Sequence, residues 1–288
     1  MVSGASGTSG ASGASGASVD DVLDALRLRS LDAGVWQGDC VTTGGPAVFG
    51  GQLIGQALAV AAAAHPGKSV RSIHTTFART GRPDAPVTLT VDTLHEGRTF
   101  AGLTVSVGQG QRRLARAQLL LDAPDDDLIR HASALPDVPK PDEAYPQPPM
   151  LDGWEYRFTE DVDLGDPDAV GPPELRVWSR FHTSRPGAAH PLLAWASVGF
   201  LIGTALRPHP GLGLAQAHHT LSTGPVTHAL TFHDEFAADE WLLLTFRSTF
   251  AGGGRAYGTG EVHTAGGRLV ASCSQDAMIR RTTGPGAL

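Results

Sequence analysis

An internal repeat constrains this chain more than any other feature. Two stretches each run an almost wholly apolar helix and then four strand-like segments, in the same order. At a fixed spacing of 157 residues, Arg98 meets Arg255, Phe100 meets Tyr257, Gly110 meets Gly267 and Gln118 meets Gln275. Phe77 meets Phe232 at a spacing of 155, which requires a two-residue length change in a loop. A repeated order of elements points to duplication of one supersecondary unit.

In the first half, Ser18 or Asp20 can cap a short helix over 19–28, with Val22, Leu23 and Leu26 on one face. VFGGQLIGQALAVAAAAH (48–65) is apolar or small nearly all round, so it predicts a buried helix. His65-Pro66-Gly67 ends it. Alternating runs then predict strands over 71–78, 87–97, 98–108 and 111–122. In the second half, strands are expected near 154–162 and 174–183. A buried helix follows over 191–206, then strands over 226–233, 240–250, 255–264 and 267–281. The expected organisation is a Gly/Ser/Ala tail (1–18), a first repeat (19–122), a linker rich in Pro and Asp (123–153), a second repeat (154–282) and a short tail (283–288). A helix followed by an antiparallel meander is the order of a hotdog domain. The expected fold class is therefore α+β, a double hotdog.

Composition narrows the function. With 41% apolar and 18% charged residues the chain suits a globular core. Its net charge of −7 and lack of a Lys/Arg run speak against a nucleic-acid partner. Cys40 and Cys273 are the only cysteines and form no CxxC pattern, so neither a disulfide framework nor a cysteine zinc site is expected. That usage fits a reducing cytoplasm. The N-terminus lacks the basic start and apolar core of a signal peptide. The apolar stretch 191–206 reads as too short to span a bilayer, so no membrane segment is expected. The absence of GxxxxGKS, GxGxxG and GxSxG disfavours nucleotide binding and an α/β-hydrolase nucleophile elbow. No metal and no cofactor are expected.

VFGGQLIGQAL and IHTTFARTGRPDAPVTLTVDTLHEGRTF resemble the first half of the acyl-CoA thioesterase II (TesB) family. LLAWASVGFLIGTALRPHPG, THALTFHDEFAADEWLLL and GEVHTAGGRLVASCSQDAMIR are similar to its second half. The likeness covers about 22–282 and is weakest over 123–185. It implies hydrolysis of fatty acyl-CoA thioesters at a site in the second repeat; the sequence itself leaves the carrier open between CoA and an acyl carrier protein. There an Asp on the central helix, a Thr on the next strand and a Gln on the last strand would activate water. Exposed sheet edges would favour a homodimer or larger assembly.

Position by position, the resemblance keeps Gln275, puts Val198 where the family has Asp, and puts Pro225 where it has Thr. The Asp-His pair of the family becomes Thr227-His228. Val198 accepts no proton, and a placed general base is worth about 10²- to 10⁴-fold. Three outcomes stay open. The first is a substitute base, His228 before His218, His219 or Asp276, with Thr223 or Thr227 in the Thr role. The second is a reaction that needs no hydrolytic base, such as dehydration, isomerisation or cyclisation. Or the chain binds an acyl ligand without chemistry. Gly50, Gly51 and Gln52 at a helix start could cradle a phosphate or carbonyl, or could only let the helix enter the sheet closely. Gln118 reads as the structural copy of Gln275. His74 reads as packed locally, and His95 and His263 as solvated strand ends. Arg79, Arg82 and Arg98 are candidates for CoA phosphates, against the ordinary reading of solvated turn residues.

Overall fold

The computed structural model describes residues 16–282. Most of the expected N-terminal tail and all of the one at 283–288 lie outside the described residues. The N-terminal stretch is anchored by residue 17. Ala17 is buried and its carbonyl accepts from Asp152 N, while Val19 N donates to Asp152 O. Ser18 caps α1 (Val19–Asp24) in a reciprocal box with Asp21. This helix is shorter than expected because the chain leaves it in i→i−3 turns at Leu26 and Arg27.

Two longer helices fill the core, α2 (Gly50–Ala64) and α3 (Ala189–Leu206). The first repeat adds β1 (Arg29–Asp32), β2 (Val35–Gly38), β3 (Ser69–Phe77), β4 (Val87–Glu96), β5 (Phe100–Gln109) and β6 (Arg112–Asp122). A connecting segment carries β7 (Tyr145–Pro146). The second repeat adds β8 (Trp154–Phe158), β9 (Glu174–Phe181), β10 (Leu221–Phe232), β11 (Leu242–Gly252), β12 (Arg255–Thr264) and β13 (Leu269–Arg281). All thirteen strands form one antiparallel sheet, in the order β1-β2-β4-β5-β6-β3-β10-β13-β12-β11-β9-β8-β7. The sheet curves round both helices, which is the double hotdog. Strand β10 starts five residues earlier than expected. It passes through Pro225 at a bulge between Pro225 and Thr227, where a residue without an N–H does least harm to the ladder.

Helix α3 starts two residues before the expected Pro191. Its 18 residues are long and apolar enough to cross a bilayer, contrary to the reading of this stretch as too short. It is a core helix enclosed by the sheet, with 78% of that span buried. The sheet edges are also blunter than expected. β1 has four residues and β7 has two, one of them Pro146.

The repeats meet where β3 pairs with β10, and register fixes which residues are mates. In the first repeat Ile73 faces Leu119, Thr75 faces Ala117 and Phe77 faces Ala115. In the second, His228 faces Gln275, Leu230 faces Cys273 and Phe232 faces Ala271. Across the seam Thr75 pairs with His228 and Ile73 with Leu230, as a pseudo-twofold axis demands. The helices obey the same axis. A Cβ on Gly51 would lie 2.7 Å from Trp195 Cα, and one on Gly55 would lie 3.7 Å from Pro191 Cα. Treating these crossings as mates sets Ser197 over Ala57 and Val198 over Leu58.

The connecting segment is a packed strap on the outside of the second sheet. Ala144, Leu135 and Val138 cover Trp178, Leu243 and Trp241. Trp178 Nε1 donates to Pro139 O at 2.8 Å, and Arg157 donates to Pro141 O at 2.9 Å. The strap also buries His263, whose Nε2 lies 3.2 Å from Ser133 O. His263 was expected to be solvated, and this cover is why it is not.

Candidate functional site in the second repeat

The inner face of the second sheet carries one buried polar row. His228 on β10 and Gln275 on β13 are register partners, and α3 lays Ser197 over them. His228 Nδ1 is 2.9 Å from Gln275 Oε1, and Nε2 is 2.9 Å from Ser197 Oγ. Gln275 presents its carbonyl oxygen, so Nδ1 holds the ring proton and Nε2 is left as an acceptor aimed at the serine hydroxyl. Ser197 Oγ also lies 3.2 Å from Ala194 O, a longer alternative acceptor within the helix. Burial holds His228 well below the ordinary imidazole value, at about 4, with the Gln275 bond opposing and the His74 charge adding to the fall. The ring is therefore neutral at neutral pH.

The row is not fully satisfied from within. Gln275 Nε2 and, directly across the seam, Thr75 Oγ1 are buried without a hydrogen-bond partner. Such atoms are costly unless something polar completes them. Thr75 and Ser197 were not singled out from the sequence. The period-2 burial of β3 places Thr75 on the inner face, but only the seam register reveals its neighbour.

Val198 is buried among apolar residues, at the position next to Ser197. No carboxylate among the described residues bonds to Gln275. Asp276 points to the other face, where its Oδ2 accepts from Thr227 Oγ1 at 3.1 Å. That bond takes Thr227 and Asp276 out of the site, because adjacent strand residues face opposite ways. Pro225 does face inward, 3.3 Å from where a Cβ on Gly50 would stand. Thr223 is buried further along β10. His218 and His219 lie exposed in a turn, with His218 in the left-handed region at φ 64°. Cys273, one inner position from Gln275, is an unpromising nucleophile, since burial pushes its thiol up to about 12.

The start of α2 divides into two roles. Gln52 is committed to the fold, since its Oε1 accepts from Val41 N and its Nε2 donates to Asp39 O. This corrects its reading as a ligand contact. Gly50 and Gly51 stand at a helix start with no side-chain cap, close to Pro225 and to α3 respectively. Gly51 is required for close packing against Trp195. Gly50 leaves first-turn N–H groups beside the seam. Arg79, Arg82 and Arg98 are exposed, and Arg82 is paired with Asp84. His74 and His95 are exposed.

Gln118 corrects a second expectation. It is exposed on the outer face, whereas Gln275 points inward. Register makes Leu119 the mate of Gln275. The match at spacing 157 is off by one in this strand, and one residue reverses the face. The mates of Ser197, His228 and Gln275 are thus Ala57, Ile73 and Leu119, all buried and apolar.

A cavity of about 1270 Å³ lies away from the polar row, at the start of α3. It is bounded by Leu58, the mate of Val198, and by Phe232, on which the His190 ring stacks at 3.8 Å. Its charged lining is largely self-paired, as in Arg71 with Asp122 and Arg130 with Asp127 and Asp234. The polar row is the better candidate because its buried hydrogen-bonding capacity is not used up. Among the described residues, no group of three or more His, Cys, Asp or Glu is placed to hold a metal ion.

Comparison with known proteins agrees with the double-hotdog fold. Residues 39–121 match the acyl-CoA thioesterase N-terminal domain, and residues 131–279 match the acyl-CoA thioesterase C-terminal domain. Acyl-CoA thioesterase 2 of Haemophilus influenzae is 27% identical over 282 residues, covering 91% of this chain and 97% of that protein. Human acyl-coenzyme A thioesterase 8 is 26% identical, covering 90% and 88%. The crystal structure of an acyl-CoA thioesterase II, TesB2, from Mycobacterium marinum superposes with TM-score 0.78 at 28% identity, covering 91% of this chain and 99% of that one.

Proposed function

Because this chain belongs to the acyl-CoA thioesterase family, whose two domains match most of its length, we propose that it hydrolyses acyl-CoA thioesters at the second-repeat site. His228 is the proton acceptor where Val198 cannot be one. The supporting observation is the neutral imidazole held between Ser197 and Gln275, with an unpartnered Gln275 Nε2 beside it. Gln275 fixes the tautomer, and its free N–H can hold water or a thioester oxygen. The first turn of α2 near Gly50 supplies backbone N–H groups of the kind that polarise a carbonyl.

A free-thiol assay over short to long acyl-CoAs tests this on wild type, Val198→Asp, His228→Ala and Gln275→Ala. The expected result is thiol release by wild type, no large gain from Val198→Asp, and losses of about 100-fold or more in the other two. A feeble wild type beside a brisk Val198→Asp would remove His228 from the role. A second reading is acyl binding or non-hydrolytic chemistry, favoured by Val198 and by the full burial of the row. Thermal stabilisation by acyl-CoA without turnover would select it. The same assay with acyl-carrier-protein thioesters decides the carrier, and light scattering decides whether the chain is a homodimer or larger.

A further inference from the structure

We propose that a second copy of this chain docks on the outer face of the sheet at the β3–β10 seam, back to back, about a dyad running parallel to the strands. The proposal does not depend on the hydrolytic reading above.

Strand register carries it. Three rows of outward side chains cross the seam over β6, β3, β10 and β13. The first runs Arg116, Thr76, Thr227, Asp276, and the second Gln118, His74, Ala229, Ser274. The third runs Leu120, Ser72, Thr231, Ser272. Arg116 and Asp276 are the only Lys, Arg, Asp or Glu in these rows. Most of the others are small and neutral, so a second sheet can approach closely. The centres of protein interfaces are depleted of charge in the same way.

The two charges select the occupant. Arg116 and Asp276 stand in one row, each one strand beyond the seam pair, about 14 Å apart at the usual strand spacing. Arg116 is exposed and makes no ion pair or hydrogen bond among the described residues. Asp276 accepts only from the neutral Thr227 hydroxyl. A dyad along the seam exchanges the two sides of each row and keeps its level. It sets Arg116 against Asp276 of the second copy, and Asp276 against that copy's Arg116. The same operation sets Gln118 against Ser274.

Register extends the middle row through Thr104 to Asp92 on β4, and through Thr259 to Arg247 on β11. Both ends are exposed and equally far from the seam. Arg247 has only Glu174 near it, at 3.9 Å. The same dyad turns Asp92 toward Arg247 of the second copy. The sheet curves away there, so this pair acts at the rim, where charges steer encounter more than they hold. On β12, Glu261 falls opposite Gly102. No like charges meet. A dyad across the strands at the middle row would instead face Asp92 with Asp92 and Arg247 with Arg247.

The test is light scattering on the full-length chain at low and moderate salt. The wild type is expected at twice the 30.0 kDa of the chain. Arg116→Glu and Asp276→Arg each bring like charges together, and each is expected to raise the dissociation constant about 10-fold or more. Mixing the two variants should restore a dimer, because each then offers the charge the other lacks. The double variant Arg116→Glu/Asp276→Arg should pair with itself. Circular dichroism checks that the variants fold. Ala229→Arg, beside the seam, is a further disruptive change that leaves both charges in place. A monomeric wild type overturns the proposal. So do single variants that stay as dimeric as wild type, or monomeric single variants that do not pair when mixed.

Discussion

The two repeats share a fold and differ in what they bury and what they show. Inside, the first repeat packs Ala57, Ile73 and Leu119 where the second packs Ser197, His228 and Gln275. Outside, the second sheet is covered by the strap around Trp178 and Leu243, while the first leaves Leu94 86% exposed beside Leu120 and Phe100. One scaffold therefore carries both versions of each surface. On the function proposed above, the difference separates what the architecture requires from what the chemistry would require.

The sharpest way to break the comparison is to make the second repeat like the first. Ser197→Ala/His228→Ile/Gln275→Leu should abolish thiol release, a loss of about 10²-fold or more. Its stability to urea should hold or rise, because removing all partners of a buried polar cluster is often neutral or favourable. A variant that fails to fold would show that the trio is structural. Ile73→Val, at the mate of His228, should cost about 0.5–1.5 kcal/mol in urea and leave thiol release unchanged.

Acid should act on the second repeat through His228. Its value falls on folding from the ordinary 6.5 to about 4, so the unfolded chain binds the proton more readily between those values. The associated stability is complete above pH 6.5 and is lost as pH falls through 4, about 3 kcal/mol in all. Urea midpoints at pH 7 and 4.5 should fall less in the triple variant than in wild type. Equal falls would assign the acid sensitivity elsewhere, with His190, also lowered to about 4, the next to test.

The helix crossing offers a third comparison. Gly51→Ala places a methyl 2.7 Å from Trp195 Cα and should cost about 1–3 kcal/mol. At Gly55 the nearest atoms are at 3.4 Å, so Gly55→Ala should cost under about 1 kcal/mol, helped by alanine's better helix propensity. Thermal melts of the pair check this. The smallest effect is expected outside, where Leu94→Ser should change stability by less than about 0.5 kcal/mol.

Much of this was legible beforehand. The two buried helices and most of the strands follow from apolar runs and alternation, because burial by a covering sheet leaves that trace in composition. The short strands β1, β2 and β7 carry too few residues to show a period. The strap was invisible as structure, since Pro-rich segments look alike whether packed or free. In the site, Gln275, His228 and Val198 were found by resemblance. Ser197 and Thr75 were missed because their significance lies in a helix facing and a seam register that no linear pattern encodes. Thr227 and Gln118 were misplaced for a related reason. A bulge and a one-residue shift each decide which way a strand residue points, and neither changes the count of residues enough to be noticed.

The pairing of β3 with β10 has a consequence for how such a site can change. Were each half a separate chain in a symmetric pair, any mutation would appear on both sides of the axis. A histidine introduced for catalysis would have to be tolerated twice. Joined in one polypeptide, the halves are freed from that bookkeeping. One can experiment with reactive groups while its twin, held against it along a shared seam, goes on supplying a conservative wall.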